Sequence, residues 1–168
     1  MVRDFRPSVL IMAHEFITEN VLPSLSIDND KAAIHTAFRF VDLYNIARRF
    51  DARRLQNCIM NRFRARETCA DGYLSRNLIK KAYEYPDARS KLRRYAVDMF
   101  LYKAKAWDMG IREKWLDLHA RHGNHRFVTD VHQADLKRLL RKRWFEAPNP
   151  NDAAKCHYHF HYEGQHCA

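Results

Sequence analysis

Apolar side chains recur at helical spacing along this chain, and little interrupts them. In TAFRFVDLYNIARRF, residues 36–50, Phe40, Leu43, Tyr44 and Ala47 fall at i, i+3, i+4 and i+7. That spacing puts four apolar groups on one face of a helix, whereas a strand would send them to both faces. Helix breakers are scarce, with four glycines and five prolines among 168 residues. Hydrophobic residues make up 46% of the chain, enough to bury a core, and this excludes global disorder. The expected fold class is therefore all-α: a compact array of short helices followed by a short Cys/His-rich C-terminal tail.

Capping and turn residues divide the array. Pro7 suits the first turn of a helix over residues 8–17, where a missing N–H costs nothing. Asp51 is placed to cap ARRLQNCIMNRF, whose apolar face is Leu55, Ile59 and Phe63, so two helices form a tight hairpin. Ser75 and Ser90 are placed to cap the helices that follow them. Gly110 is expected to break the next run, and Gly123 to stop REKWLDLHARH. A last helix is predicted from His125 to Arg143, with Leu136, Leu139, Leu140 and Trp144 turned to a core. APNPND then reads as an extended linker. The expected divisions are 1–67, 68–146 and 147–168.

The net charge is +10, from 30 Lys and Arg against 20 Asp and Glu. Such a balance favours acidic partners. Two segments are the most basic. Residues 48–66 hold seven arginines and one aspartate, and KRLLRKR, residues 137–143, holds five cations. With Trp144 and Phe145 to stack on bases, they make a nucleic-acid-binding module the alternative function. KRLLRKR also has the composition of a nuclear-import signal. The apolar run Val9–Ala13 is too short for a secretory signal, and no stretch approaches the roughly 20 apolar residues of a membrane span. The expected setting is intracellular, nucleus or cytoplasm, with reduced thiols.

The tail CHYHFHYEGQHC, residues 156–167, concentrates the metal-ligating residue types. Zinc takes thiolate and imidazole ligands, usually four. Cys156, His159, His161 and Cys167 supply two of each, and Gly164 could turn the chain so that Cys167 returns. Three arrangements fit the residues. One is a zinc site, which requires a turn near Cys156. Another is a strand, because His157 to Tyr162 alternate: Tyr158, Phe160 and Tyr162 would pack down while His157, His159 and His161 face solvent. The third is a Cys156–Cys167 disulfide, which a reducing compartment disfavours.

Elsewhere the residues argue against an enzyme. His14-Glu15 lacks the second histidine of a zinc-protease motif, because Thr18 stands where it would be. No glycine-rich phosphate loop occurs. Asp42, Asp98 and Asp117 lie among arginines, where ion pairing is expected. Cys58 is expected to be a core thiol. His119, His122 and His125 straddle a helix end expected to be solvated.

Three stretches, in order, carry a resemblance. VDLYNIARRFDARRLQNCIMNRF is similar to the last two helices of a BTB/POZ domain. AYEYPDARSKLRRYAVDMF, with Tyr85, Leu92, Arg93, Arg94, Val97 and Asp98, resembles the segment that follows in fungal members. Cys156, Tyr158, His159, His161 and Cys167 match the C-x-[YF]-H-x-H-x5-C pattern near the end of such chains. The chain thus resembles the C-terminal region of a fungal BTB/POZ protein with its BTB core largely missing. The resemblance implies a non-enzymatic protein–protein interaction module, an adaptor in ubiquitin ligation or a transcriptional scaffold. In the full-length family, homo-oligomers and cullin-type ligases would be its partners.

Overall fold

The computed structural model describes residues 6–22, 30–65, 75–85, 87, 89–141, 147–161 and 167, with side chains in the second helix described from residue 37 onward. The described residues are helical, with no strand among them. Among the described residues seven α-helices run in the order α1 Pro7–Glu19, α2 Asp30–Arg49, α3 Arg53–Arg64, α4 Arg76–Ala82, α5 Lys91–Ala104, α6 Met109–Arg121 and α7 His125–Leu140. Two short 3-10 turns follow, at Pro150–Asp152 and Lys155–His157. The chain divides into two compact units, residues 1–72 with 159–168, and residues 73–158.

In the first unit, α1 buries Val9, Met12 and Phe16, one stripe at i, i+3 and i+7. The predicted stripe of α2 is buried throughout: Phe40, Leu43, Tyr44 and Ala47. Leu55, Ile59 and Phe63 of α3 close that core, with Phe63 edge-on to Phe40 at 6.5 Å between ring centres. The hairpin between α2 and α3 forms as expected, but Asp51 does not cap α3. Ala52 stands at the cap position without a side-chain bond. Asp51 instead takes a left-handed backbone, φ 49°, to make the tight turn, and its carboxylate accepts from Arg53 Nε at 3.1 Å.

In the second unit the two serine caps form: Ser75 Oγ accepts from Leu78 N at 3.2 Å and Ser90 Oγ from Arg93 N at 3.4 Å. Gly110 lies within α6, because the Asp108 carboxylate accepts from Ile111 N at 2.8 Å and starts the helix one residue earlier. Gly123 stops α6 with φ 81°, a conformation glycine adopts without steric cost.

A cluster of rings fills the space between α5, α6 and α7. Phe127 meets Tyr83 at 5.7 Å, Phe100 at 5.6 Å and His119 at 4.9 Å. Trp107 stacks on Trp115 at 5.7 Å. His119 is therefore not at a solvated helix end. It is fully buried, and burial, with Arg76 and His122 adding to it, pushes its imidazole down to about 4.

The leucines of α7 also depart from expectation. Leu136, Leu139 and Leu140 are 55%, 57% and 74% exposed, and the core contacts come from Phe127 and Val131. Those two lie near the start of the helix, so its last turns carry no buried stripe. Trp144 and Phe145 lie outside the described residues. APNPND is not extended: Asn149 caps a 3-10 turn, Ala147 and Pro150 are buried, and Asn151 Oδ1 accepts from Tyr95 OH at 2.8 Å.

Candidate metal centre in the C-terminal tail

One stripe of α3 recurs every four residues in polar side chains rather than apolar ones: Arg53, Asn57 and Asn61. Side chains four apart on a helix lie above one another. Three consecutive tail residues run along that stripe, each held by one rung. Arg53 Nη1 donates to His161 O at 2.9 Å. Asn57 acts twice, its Nδ2 donating to Phe160 O at 2.9 Å and its Oδ1 accepting from Phe160 N at 2.8 Å. Asn61 Oδ1 lies 2.7 Å from His159 Nε2. The Arg48 guanidinium covers the Phe160 ring at 4.7 Å. Asn57 thus gives an isolated stretch of chain the pair of backbone bonds that a neighbouring strand would have supplied.

These contacts replace the predicted strand. Strict alternation would bury Phe160 and expose the histidines. Instead His159 is buried, 7% exposed, beside the buried Tyr158, while Phe160 and His161 are half-buried. Tyr162 and Gly164 lie outside the described residues.

The rung at Asn61 decides the chemistry of His159. Nε2 faces a carbonyl oxygen, so Nε2 carries the proton and Nδ1 carries the lone pair. That lone pair points at a thiol: Nδ1 lies 3.0 Å from Cys167 Sγ. On its other side, Cys167 Sγ lies 3.3 Å from His161 Nε2. Metal-ligating histidines characteristically donate their second N–H to an oxygen that fixes the ring, as Asn61 does here. Zinc–sulfur and zinc–nitrogen bonds of about 2.3 and 2.0 Å at a tetrahedral angle put the two ligand atoms roughly 3.5 Å apart. Both separations at Cys167 are within about half an ångström of that span.

Cys156 lies three residues before His159, on the 3-10 turn Lys155–His157, which is the turn that a four-ligand arrangement requires. Within the first unit His159 and His161 both face Cys167 Sγ, so three of the four ligand residues lie together there, while Cys156 belongs to the second unit. Cys156 and Cys167 are present as thiols, not as a disulfide.

The other candidate residues have structural roles. Cys58 is half-buried, and burial pushes its thiol up despite Arg54 and Arg62, as befits an unreactive packing thiol. Asp117 pairs with Arg121 at 2.6 Å. Asp98 accepts from Arg138 Nη2 at 3.1 Å and Tyr158 OH at 3.0 Å. Two of the arginines in the basic segment 48–66, Arg48 and Arg53, are engaged with the tail rather than displayed. The sequence pattern missed Asn57 and Asn61, although their spacing of four from each other and from Arg53 was a visible signal.

No helix among the described residues is long and apolar enough to cross a membrane. Compared with family models, curated proteins and solved structures, the chain matches none.

Proposed function

We propose that the chain is a non-enzymatic protein-interaction module, of the adaptor or scaffold kind that its BTB/POZ resemblance implies. Its tail would be closed by one zinc ion on Cys156, His159, His161 and Cys167. A zinc with four protein ligands is structural, and its binding energy becomes folding energy for the segment that holds it.

The observation that carries the interaction reading is a groove of about 570 Å³ in the first unit, where the end of α1 meets the turn between α2 and α3. Its walls are mainly apolar, and two of its large residues are held out in water: Ile17 is 78% exposed and Phe50 72%. Apolar groups grouped around a groove cost solvation unless something covers them. Three of the polar side chains there already have partners. Thr18 Oγ1 donates to His14 O at 2.9 Å, and Asp51 is paired with Arg53. Among the described residues no serine, cysteine or histidine lines the groove.

The test is a photo-crosslinking residue at position 50 in the full chain, expressed in its own cells. The reading expects a discrete protein adduct that Ile17→Glu abolishes. A nuclease-sensitive adduct would favour the nucleic-acid alternative, and no adduct would overturn the groove as a docking site.

A further inference from the structure

Within the second unit, α5 and α7 enclose a cleft of about 520 Å³ whose chemistry is unlike that of the apolar groove. Five cationic side chains line it, Arg93 and Arg94 from α5 and Lys137, Arg138 and Arg141 from α7. Two carboxylates, Asp98 and Asp130, oppose them. Both carboxylates are already engaged. Asp130 Oδ2 accepts from Arg93 Nη2 at 2.8 Å and from Tyr83 OH at 2.8 Å. Asp98 is bound by Arg138 and Tyr158.

Two cations, Lys137 and Arg141, pair with neither carboxylate. Arg94 is exposed and pairs with Asp98 at 3.8 Å, and Lys137 and Arg141 are exposed on α7. Lys137 and Arg141 stand four residues apart, where like charges repel. The floor between the helices is made of Val97 and Ala134, short side chains that leave the cations room to converge. One wall is rigid. Arg93 is 6% exposed, lies 4.1 Å from the Tyr83 ring centre, and its buried Nε has no hydrogen-bond partner. A compact hollow with surplus guanidinium and ammonium groups and satisfied carboxylates suits a tetrahedral dianion, which can accept from several of them at once.

From this arrangement we propose that the cleft between α5 and α7 binds a phosphoryl group displayed on a protein partner. The proposal rests on the interaction reading above and names the chemistry of a partner segment. A nucleic acid would supply the same phosphate, but among the described residues no aromatic ring lines the cleft to stack on a base, and the cations there form a pocket rather than a track.

The experiment uses the full chain and a labelled glycine–alanine peptide with one central phosphoserine, its serine twin, and a single-stranded oligonucleotide. Fluorescence anisotropy should show the phosphopeptide binding at least about tenfold more tightly than the twin, as charge-assisted bonds require. Lys137→Gln with Arg141→Gln should remove that difference, and Lys114→Gln on the exposed side of α6 should keep it. Both cleft residues are exposed, so the double variant should keep the wild-type circular dichroism. Equal binding of the two peptides, indifference to the double substitution, or tighter binding of the oligonucleotide would each overturn the proposal. A cross-link at position 50 that survives the double substitution would show that the cleft assignment failed alone.

Discussion

Replacing Asn57 with alanine removes a side chain that bonds the tail backbone twice. The bonds to Phe160, at 2.9 and 2.8 Å, are partly buried. Each is worth about 1 kcal/mol net, and an amide left without a partner adds to the loss, so tail docking should weaken by about 1–3 kcal/mol. Every 1.4 kcal/mol is a factor of ten in an equilibrium, so the Phe160 amide should exchange with solvent roughly ten- to a hundredfold faster. Asn57→Asp gives an internal control. It keeps the acceptor for Phe160 N–H and loses the donor to Phe160 O, so its effect should fall between wild type and alanine. The assay is hydrogen exchange read by NMR at residue 160, with the amides of α5 as reference. Wild-type exchange at residue 160 in Asn57→Ala would refute the reasoning, because the ladder on α3 would then not be what holds the tail.

Two further outcomes follow from the packing. His119 is fully buried with its imidazole lowered to about 4, whereas an unfolded histidine titrates near 6.5. Its folded value is depressed, so the unfolded chain takes up the proton first. Stability present above pH 6.5 is therefore lost as pH falls towards 4, by on the order of 3 kcal/mol. The urea midpoint should drop steeply over that window in wild type and less steeply in His119→Leu; parallel curves would contradict the assignment. Ile17→Glu and Phe50→Glu should leave the urea midpoint within about 0.5 kcal/mol of wild type, because neither residue is part of the core. A large loss would show that the groove residues hold the fold instead of a partner.

What was legible in the sequence was whatever depends on local periodicity. The stripes of α2 and α3 and the caps at Ser75 and Ser90 can be read from spacing alone, because a helix fixes which residues share a face. Contacts between distant segments were not legible. The α7 leucines keep helical spacing, but nothing in the spacing says that no neighbour covers them. His119 looked solvated because it lies two residues before the helix end, and only Trp115 and Phe127 on either side bury it. In the tail, alternation of histidine and aromatic residues suggested a strand. The decisive bonds instead come from Asn57 and Asn61, about a hundred residues earlier. The ligand set was legible as residue types. That His159 would be turned by Asn61 to face Cys167 was not.

Metal analysis of the full chain, purified without added metal or chelator, tests the central claim most directly. A tail held along α3 and closed by Cys156, His159, His161 and Cys167 should carry about one zinc per chain, lost when Cys156→Ser and Cys167→Ser are combined. Metal content that is negligible in wild type, or the same in the double variant, would contradict it.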